Sequence, residues 1–179
     1  LSDGFIANGS EPWKIPNLKD FKSIKPNFVS KSNPDKFLPY ERDDKKLARQ
    51  WAIPGKSGYE HRIGGLEKED LTGNVSYDPV NHEAMVRLRQ EKVDIIANHI
   101  PELEVFGEQS GQLLVLSWGG TFGAIRSAIT KLHNENVQVS HAHIHYISPL
   151  PKNLGEVLLK FNQVLIPELN MGQLSTIIR

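Results

Sequence analysis

The sequence predicts an α/β fold, a small doubly wound and mostly parallel sheet preceded by an extended irregular arm. Three observations lead to this prediction. Apolar strand-like runs alternate with helically spaced segments over residues 81–179, short links connect them, and residues 1–80 are interrupted by prolines and glycines instead. The order strand, helix, strand, helix, strand is typical of parallel strands that are covered by helices. We therefore divide the chain between residues 80 and 81.

The arm, residues 1–80, shows no apolar periodicity that lasts. Its prolines and glycines break the chain, while its scattered aromatic side chains make it too apolar for free disorder. We expect these aromatic side chains to pack either on the remainder of the chain or on a partner. They are Trp13, Phe21, Phe28, Phe37, Trp51 and Tyr59.

The first three regular elements are a helix, a strand and a second helix. Apolar residues at helical spacing indicate a helix over residues 82–98, with Asn81 as its N-cap and Pro101 as its stop. A buried strand is predicted for residues 112–118. A second helix is predicted for residues 121–134, which also have an apolar stripe at helical spacing.

Three further elements complete the pattern. Residues 137–146 are predicted to form a second strand, residues 153–161 a short helix, and residues 164–167 a third strand. Residues 173–179 begin another helical pattern. Because this pattern stops abruptly and Leu1 opens a segment that looks like a strand end meeting a turn, we expect both ends to be cut points of a longer protein.

The composition excludes several functional classes. The 179 residues contain 21 basic and 21 acidic side chains and have a pI near 7.2, which argues against an electrostatic nucleic-acid or membrane-surface binder. Cysteine is absent, so this chain forms no disulfide, thiolate zinc site or cysteine-held iron–sulfur cluster. The sequence contains no apolar run long enough to span a membrane and no signal peptide, and we expect a cytoplasmic location.

The first candidate site is a glycine-rich turn between the first predicted strand and its helix. Gly119, Gly120 and Thr121 allow a sharp backbone turn, and free N–H groups at a helix start favour an anion. The turn matches neither the G-x-G-x-x-G fingerprint nor a P-loop, which requires a lysine. It is therefore either tight strand-to-helix packing or a weak site for an anion, a nucleotide or coenzyme A.

The second candidate is the run with His141, His143 and His145. On a strand these three imidazoles share one face, and histidines two residues apart can bind zinc in a metal-dependent hydrolase. Such a site would also need supporting partners and an open coordination position, and no accompanying zinc motif is present. The alternative is that Ala142, Ile144 and Tyr146 face a core while the histidines line a polar interface or crevice.

The third candidate is the loop of residues 58–62, hereafter the 58–62 loop. Its glycine-flanked sequence contains Glu60, His61 and Arg62 directly after Gly58 and Tyr59. The arginine could bind a carboxylate through two hydrogen bonds, and the histidine could transfer a proton. Solvated loop residues are the plainer interpretation.

The fourth candidate, hereafter the 168–173 motif, follows the last predicted strand. Glu168, Asn170 and Gln173 lie where a parallel strand reaches its carboxyl end. In open α/β sheets, ligands and partner contacts gather at that edge. These polar groups either cap a turn or border a site or an interface.

Several of these motifs together resemble a known family. The runs LLVLSWGGTFGAIRSAITKL, VSHAHIHYISPLPKNLGEVL and VLIPELNMGQL are similar to the C-terminal domain of the alpha subunit of bacterial 2-oxoacid:ferredoxin oxidoreductases, in particular those of the 2-oxoglutarate type. The run PYERDDKKLARQWAIPGKSGYEHRIGGLEKEDLTGNVSYDP resembles the linker before that domain. Residues 1–9 resemble the last strand and turn of a pyrimidine-binding domain.

The resemblance implies a fold and a function. Residues 81–179 would form a domain like the C-terminal domain of transketolase, truncated at its end, that stabilises a dimer and supports the active-site wall. The complete enzymes bind thiamine diphosphate with magnesium, use iron–sulfur clusters to reduce ferredoxin, and transfer the acyl group of a 2-oxo acid, here 2-oxoglutarate, to coenzyme A. A beta subunit is the implied partner in an oligomer.

The resemblance also assigns positions to two candidate sites. The 58–62 loop would approach the active-site side, and the 168–173 motif would lie near a subunit interface. The chain departs from the family, because it has no Gly-Asp-Gly diphosphate motif, no cluster-binding cysteines and no body of a pyrimidine-binding domain. His145 stands where many relatives have an arginine. We therefore expect no catalytic residue and no metal site on this chain alone.

Overall fold

The computed structural model describes residues 17–29 and 37–179, and these residues form two compact units. One unit contains the described residues of Lys14–Ile95, and the other contains Ile96–Arg179. Trp13 and the predicted strand end at residues 1–9 lie outside the described residues.

Before residue 79 the first unit consists of turns and isolated bridges, which confirms the irregular character predicted for the arm. A 3-10 turn spans Leu18–Asp20. Of the aromatic side chains, Tyr59 is buried, whereas Phe21 and Trp51 are 61% and 64% exposed on the described chain. Packing of these two on a partner stays a prediction. The isolated bridges pair Phe28 with Trp51, Tyr40 with Leu71, Arg42 with Arg49, and Lys68 with Val75.

The first helix, α1, spans Pro79–Ile96, three residues ahead of the predicted start. Its N-cap is Asp78, whose carboxylate accepts two backbone N–H groups of the first turn at 3.2 and 3.3 Å, and proline suits the position that follows. The prediction of Asn81 as N-cap is wrong. Its side chain instead accepts from the N–H of Asp70 at 3.0 Å and donates to the carbonyl of Lys68 at 2.9 Å.

The apolar stripe predicted for α1 is only partly buried. Met85 lies in the interior, but Val86 and Ile96 are each 45% exposed. The helix also ends at Ile96 rather than continuing toward Pro101. Helical spacing in the sequence therefore predicted the helix correctly, but it overestimated the fraction of the apolar stripe that this chain buries.

A buried lysine organises the loop before α1. The Lys68 side-chain amine donates to the backbone carbonyls of Gly64, Gly65 and Leu66 at 2.9, 2.9 and 2.8 Å, and Lys68 is only 4% exposed. An ammonium group has three donors, so all of them are satisfied by this one turn of backbone. The Lys68 ammonium therefore fixes the conformation of the loop that contains Gly64 and Gly65. Without these hydrogen bonds, the conformational freedom of glycine would leave the loop mobile.

The second unit contains a four-stranded sheet in the order β1-β3-β2-β4. Strands β3 and β4 both run parallel to the central strand β2, and β1 runs antiparallel to β3 at the edge. This confirms the prediction of a mostly parallel sheet. The strands are β1 (Val105–Phe106), β2 (Gly111–Trp118), β3 (Ser140–Ile144) and β4 (Phe161–Leu165).

Three helices cover the two faces of this sheet, as expected for a doubly wound fold. They are α2 (Phe122–Asn134), α3 (Leu154–Leu159) and α4 (Gln173–Ile178). Leu114 and Leu116 of β2 pack with residues of α3 and α4 on one face, while Val115 packs against Ile129 of α2 on the other. Alternate residues of β2 thus pack into two separate apolar clusters, one on each face of the sheet.

The element boundaries differ most from prediction at the sheet edges. Strand β4 begins at Phe161, three residues before the predicted 164, because Phe161 and Gln163 pair with β2 although the side chains of Asn162 and Gln163 are exposed. Polar residues on an edge strand interrupt the apolar pattern that marks a buried strand. The two-residue strand β1 is too short to show any period. In the described residues, no helix has the length and apolar character to cross a membrane.

Replacing Lys68 with methionine is expected to destabilise the chain by about 2–3 kcal/mol, because three backbone carbonyls lose their charged donor while the aliphatic stem is kept. Urea denaturation followed by circular dichroism measures this change. Lys45→Met is the matched control, since Lys45 is exposed and only its backbone N–H makes a recorded hydrogen bond. Equal stabilities of the two variants would show that the amine does not hold the loop.

Candidate functional site

The glycine-rich turn lies at the carboxyl end of β2. Gly119–Thr121 form one 3-10 turn that leads into α2, and Gly119 has a φ of 59°, which glycine adopts without strain. The hydroxyl of Thr121 donates to the carbonyl of Trp118 at 2.7 Å. The predicted strand-to-helix turn is present, and its hydroxyl is used to close the turn. An anion-binding role of Gly119, Gly120 and Thr121 stays a prediction.

The three histidines lie on the sheet face that packs against α2. His141 is fully buried, His143 is half-buried, and His145 follows the end of β3 and is exposed. The Phe122 ring of α2 meets His143 edge-on with a centroid distance of 4.9 Å, and its centroid is 5.9 Å from that of His141. As predicted, Ala142 and Ile144 lie in the core on the opposite face. The prediction is wrong for Tyr146, which lies beyond the end of β3 and is 45% exposed.

Ser117 connects the two inner histidines. Its Oγ lies 2.6 Å from His141 Nε2 and 2.7 Å from His143 Nδ1. The other ring nitrogen of His141, Nδ1, is buried without a partner in the described residues, and an unpaired acceptor there costs less than an unpaired N–H. We therefore assign His141 Nε2–H as donor to Ser117, and the serine hydroxyl as donor to His143 Nδ1.

This hydrogen-bond chain occupies one ring nitrogen of each inner histidine. His141 Nε2 and His143 Nδ1 both point at a serine hydroxyl rather than at an open position. Among residues 17–29 and 37–179, no group of three histidine or carboxylate side chains is arranged to hold a metal ion. The alternative prediction of a metal-dependent hydrolase on this strand face is therefore not supported.

A cavity of about 360 Å³ opens beside the histidine face. Arg126 of α2 lines it, with its guanidinium carbon 3.8 Å from the Phe106 ring centre and 5.2 Å from that of Phe122. Arg126 Nε is buried and has no partner in the part of the chain that the structure describes. His145 and Tyr146, just beyond β3, form another part of the wall.

The charged side chains that line this cavity are two carboxylates and one guanidinium, so the cavity is not positive. Glu102 and Glu104 line it together with Arg126, so the guanidinium does not by itself select an anionic ligand. Sequence inspection missed Arg126, although its position one helical turn after Phe122 would have placed both side chains on the same face of α2.

The surroundings keep both inner histidines neutral. Burial lowers the pKa of His141 to about 4, and the Arg126 charge adds to this effect. Burial also lowers the pKa of His143 to about 4, with smaller contributions from His145, His141 and Arg126. The hydrogen-bond chain through Ser117 requires this neutral state, since His143 Nδ1 must accept a hydrogen bond.

The 58–62 loop lines a pocket of about 550 Å³ in the first unit. Gly58 has a φ of 83° and precedes the buried Tyr59. His61 Nδ1 lies 2.8 Å from the Tyr59 carbonyl, and Phe37 packs on both rings at centroid distances of 5.3 Å. The pocket is lined by Phe37, Pro39, Gly58, Glu60, His61, Arg62, Thr72, Gly73 and Asn74.

The structure thus brings the four predicted residues of the 58–62 loop to one pocket. His61 donates Nδ1–H to its own loop, so the neutral ring presents Nε2 as an acceptor. Glu60 and Arg62 are exposed on the same loop. This arrangement can accept a proton and bind a carboxylate, and a position on the active-site side stays a prediction.

Glu168 of the 168–173 motif caps helix α4. Its two carboxylate oxygens accept the N–H groups of Leu174 and Ser175 at 2.9 and 3.0 Å, and the Trp118 side chain also donates to it. Burial raises the pKa of Glu168, but these hydrogen bonds outweigh burial and the net pKa lies below its usual value. The carboxylate therefore joins the end of β2 to the start of α4.

Asn170 closes the turn that precedes the same helix. Its side-chain oxygen accepts the N–H groups of Gly172 and Gln173 at 2.8 and 2.9 Å. Gly172 has a φ of 89°, and a side chain there would collide with the Ser175 hydroxyl. Glu168 and Asn170 thus have partners within the chain, whereas the side chain of Gln173 is exposed. An interface role of the motif stays a prediction.

Acidification is expected to destabilise the chain more steeply than it destabilises a variant without the two inner histidines. Below pH 6.5 the unfolded chain takes up protons that folded His141 and His143 accept only near pH 4, so the free energy of unfolding falls across that interval. Urea denaturation at several pH values measures the slope. His141→Gln combined with His143→Gln should flatten it, and His99→Gln, at an exposed site, should not. A slope unchanged in the double variant contradicts the assignment.

Comparisons with known proteins identify relatives for the whole chain. No protein-family profile matches it. It is 50% identical, over 100% of its length, to the 2-oxoglutarate oxidoreductase subunit KorA of Mycobacterium tuberculosis, of which it covers 27%. It is 29% identical, over 99% of its length, to the alpha subunit of 2-oxoacid:ferredoxin oxidoreductase 1 of Aeropyrum pernix, of which it covers 28%. The chain therefore spans about a quarter of the length of these relatives.

A solved structure agrees with these relatives. A chain of the 2-oxoglutarate:ferredoxin oxidoreductase from Magnetococcus marinus, with 2-oxoglutarate, coenzyme A and succinyl-CoA bound, superimposes with a TM-score of 0.80 and 29% sequence identity. The match covers 92% of this chain and 28% of that one. Over its whole length the chain is thus a homologue of the alpha subunits of 2-oxoacid:ferredoxin oxidoreductases, and it belongs to that family as a C-terminal portion of the subunit.

Proposed function

We propose that this chain is the structural and interface-forming part of the alpha subunit of a thiamine-diphosphate-dependent 2-oxoacid:ferredoxin oxidoreductase. The complete enzyme would convert a 2-oxo acid, with loss of CO₂ and reduction of ferredoxin, to an acyl-CoA. The observation that supports this most is the 50% identity along the entire chain to a 2-oxoglutarate oxidoreductase subunit. We propose 2-oxoglutarate as the substrate, because that relative is named for it and because the similar Magnetococcus marinus enzyme was solved with 2-oxoglutarate bound.

The residues of this chain do not fit the cofactors of the complete enzyme. It has no cysteine to hold an iron–sulfur cluster, and its described residues form no cluster of metal-binding side chains that could hold magnesium at a diphosphate. The proposal therefore assigns cofactor binding and the chemical step to the remainder of the alpha subunit and to a beta subunit. A cytoplasmic location and an oligomeric state belong to the same proposal.

The supporting role matches the way the sheet edge is built. At the carboxyl ends of β2 and β4, these polar side chains are hydrogen-bonded within the chain. Glu168 and Asn170 cap α4, and Ser117 is hydrogen-bonded to two histidines. Groups that are already hydrogen-bonded and held rigid provide a fixed surface rather than reactive atoms. Gln173 remains exposed on this surface and is available to a neighbouring subunit.

Combining Glu168→Gln with Asn170→Ala in the complete complex is expected to weaken subunit assembly several-fold, while the decarboxylation rate per assembled complex changes little. Gln173→Ala tests the interface separately, because only the backbone N–H of Gln173 takes part in capping α4. Size-exclusion chromatography measures assembly, and ferredoxin reduction measures the rate.

The matched control combines Asn134→Ala with Glu135→Gln at the exposed end of α2, where neither side chain has a recorded partner. This control should assemble normally. Intact assembly with lost decarboxylation in the Glu168 and Asn170 variant would instead place the 168–173 motif in the active site.

Turnover by the complete complex tests the function itself. The alpha subunit that contains this chain, assembled with its beta subunit and supplied with thiamine diphosphate, magnesium and coenzyme A, should reduce ferredoxin with 2-oxoglutarate. Pyruvate and a branched-chain 2-oxo acid serve as comparison substrates. A preference for either of them refutes the substrate assignment, and no reaction with any 2-oxo acid refutes the functional proposal.

A further inference from the structure

A pocket lined by four basic side chains lies between a hairpin and helix α1. The hairpin is the segment of residues 42–49, whose ends are joined by the isolated antiparallel bridge of Arg42 and Arg49. The pocket that it lines together with Tyr40 and α1 has a volume of about 220 Å³. No acidic side chain of the described residues lines it. We call it the basic pocket, and its lining residues are Tyr40, Arg42, Leu47, Arg49, Met85, Leu88, Arg89 and Lys92.

The hairpin holds two arginines close together. Arg42 and Arg49 face each other as an antiparallel pair, where like charges repel. The turn between them is closed by Asp43, whose carboxylate accepts three backbone N–H groups at 2.7, 3.1 and 3.1 Å. Leu47 has a φ of 51°, an uncommon value for leucine, and lines the pocket. A bound anion would remove the repulsion that this geometry imposes.

Both guanidinium groups are oriented by the ring of Tyr40. The guanidinium carbons of Arg49 and Arg42 lie 4.2 and 5.6 Å from the ring centre. Arg42 is further fixed by hydrogen bonds of 3.0 Å to the Tyr40 carbonyl and 2.7 Å to Asp70, and its side chain is only 15% exposed. Arg49 has no carboxylate partner among the residues that the structure describes. The pocket is thus partly organised before any ligand binds.

Helix α1 supplies the floor and the other two cations. Met85, Leu88, Arg89 and Lys92 recur at intervals of three and four residues and therefore share one face of the helix. Met85 is buried and Leu88 is half-buried, which makes the floor apolar. Arg89 has an ion pair of 3.2 Å with Glu67, whereas no carboxylate in the described residues pairs with Lys92.

The charges around the basic pocket leave a net excess of two. Two of its four cations have carboxylate partners, at Asp70 and Glu67. Four positive charges less two negative charges give two, and these belong to Arg49 on the hairpin and Lys92 on the helix. A ligand with two negative charges placed between them would neutralise the site.

We propose that the basic pocket binds the phosphate group of a small phosphorylated ligand. A phosphate ester has a charge of about −1.5 to −2 at neutral pH, which matches the excess. Arginine binds phosphate oxygens through two parallel hydrogen bonds, and lysine adds a point charge. The apolar floor of Leu47, Met85 and Leu88 accommodates the organic group next to the phosphate. A monocarboxylate would neutralise only half of the excess charge.

Calorimetric titration of the 179-residue chain with phenyl phosphate at low ionic strength tests this site. Benzoate, with the same ring and one charge, is expected to bind at least tenfold more weakly, and inorganic phosphate, which lacks the ring, more weakly than phenyl phosphate. Arg49→Gln and Lys92→Gln should each weaken phenyl phosphate binding about tenfold, because each removes one charged donor. Arg49→Lys should restore part of the loss.

The matched control is Lys45→Gln, a charge change on the same hairpin at a residue that does not line the pocket. It should bind phenyl phosphate like the unmodified chain. Absence of binding, equal affinity for benzoate, or affinity unchanged by both Arg49→Gln and Lys92→Gln would each overturn the proposal. Succinate binding as tightly as phenyl phosphate would make a dicarboxylate the ligand and overturn it as well. None of these outcomes depends on oxidoreductase activity, so the site and the proposed function fail separately.

Discussion

The unit of residues 96–179 depends on the burial of the middle of strand β2, residues 114–117. This strand is hydrogen-bonded to β3 on one side and to β4 on the other, and its residues 114–117 are buried on both faces. A strand in this position has no exposed backbone groups and must satisfy each face with a different layer of side chains. The helices are placed accordingly, with α2 against one face and α3 and α4 against the other.

The end of β2 also determines where polar chemistry can occur. Three consecutive residues have three different roles there. Ser117 is hydrogen-bonded to the inner histidines, Trp118 donates to the Glu168 carboxylate, and Gly119 begins the turn into α2. Consecutive residues of a strand point to opposite faces, so one short segment connects both layers of the unit. The carboxyl edge of the sheet is therefore a junction of internal contacts, which agrees with a supporting role in a larger subunit.

Sequence reasoning located the long elements because burial imposes periodicity on them. The run ending at Trp118 and the stripe of α2 are apolar at the spacing that a core requires, and the common face of the histidines followed from strand alternation. It could not find contacts between residues far apart in sequence. Arg42 and Met85 of the basic pocket are 43 positions apart, and Lys68 binds carbonyls, which every residue has. The start of the edge strand β4 was misplaced for a different reason, since the polar Asn162 and Gln163 separate the buried Phe161 from the apolar run that begins at Val164.

The serine between the two inner histidines has a consequence for how the sheet assembles. In the native pairing, Ser117 lies opposite His143, and Val115 lies opposite His141. If β3 slipped by one residue during folding, both imidazoles would turn toward the apolar layer of α3 and α4, and the serine hydroxyl would be buried without either histidine partner. The three polar side chains therefore penalise the neighbouring misaligned pairing far more than an all-aliphatic strand pair would. Their contribution is to the fidelity of strand alignment, independent of any reaction at the sheet edge.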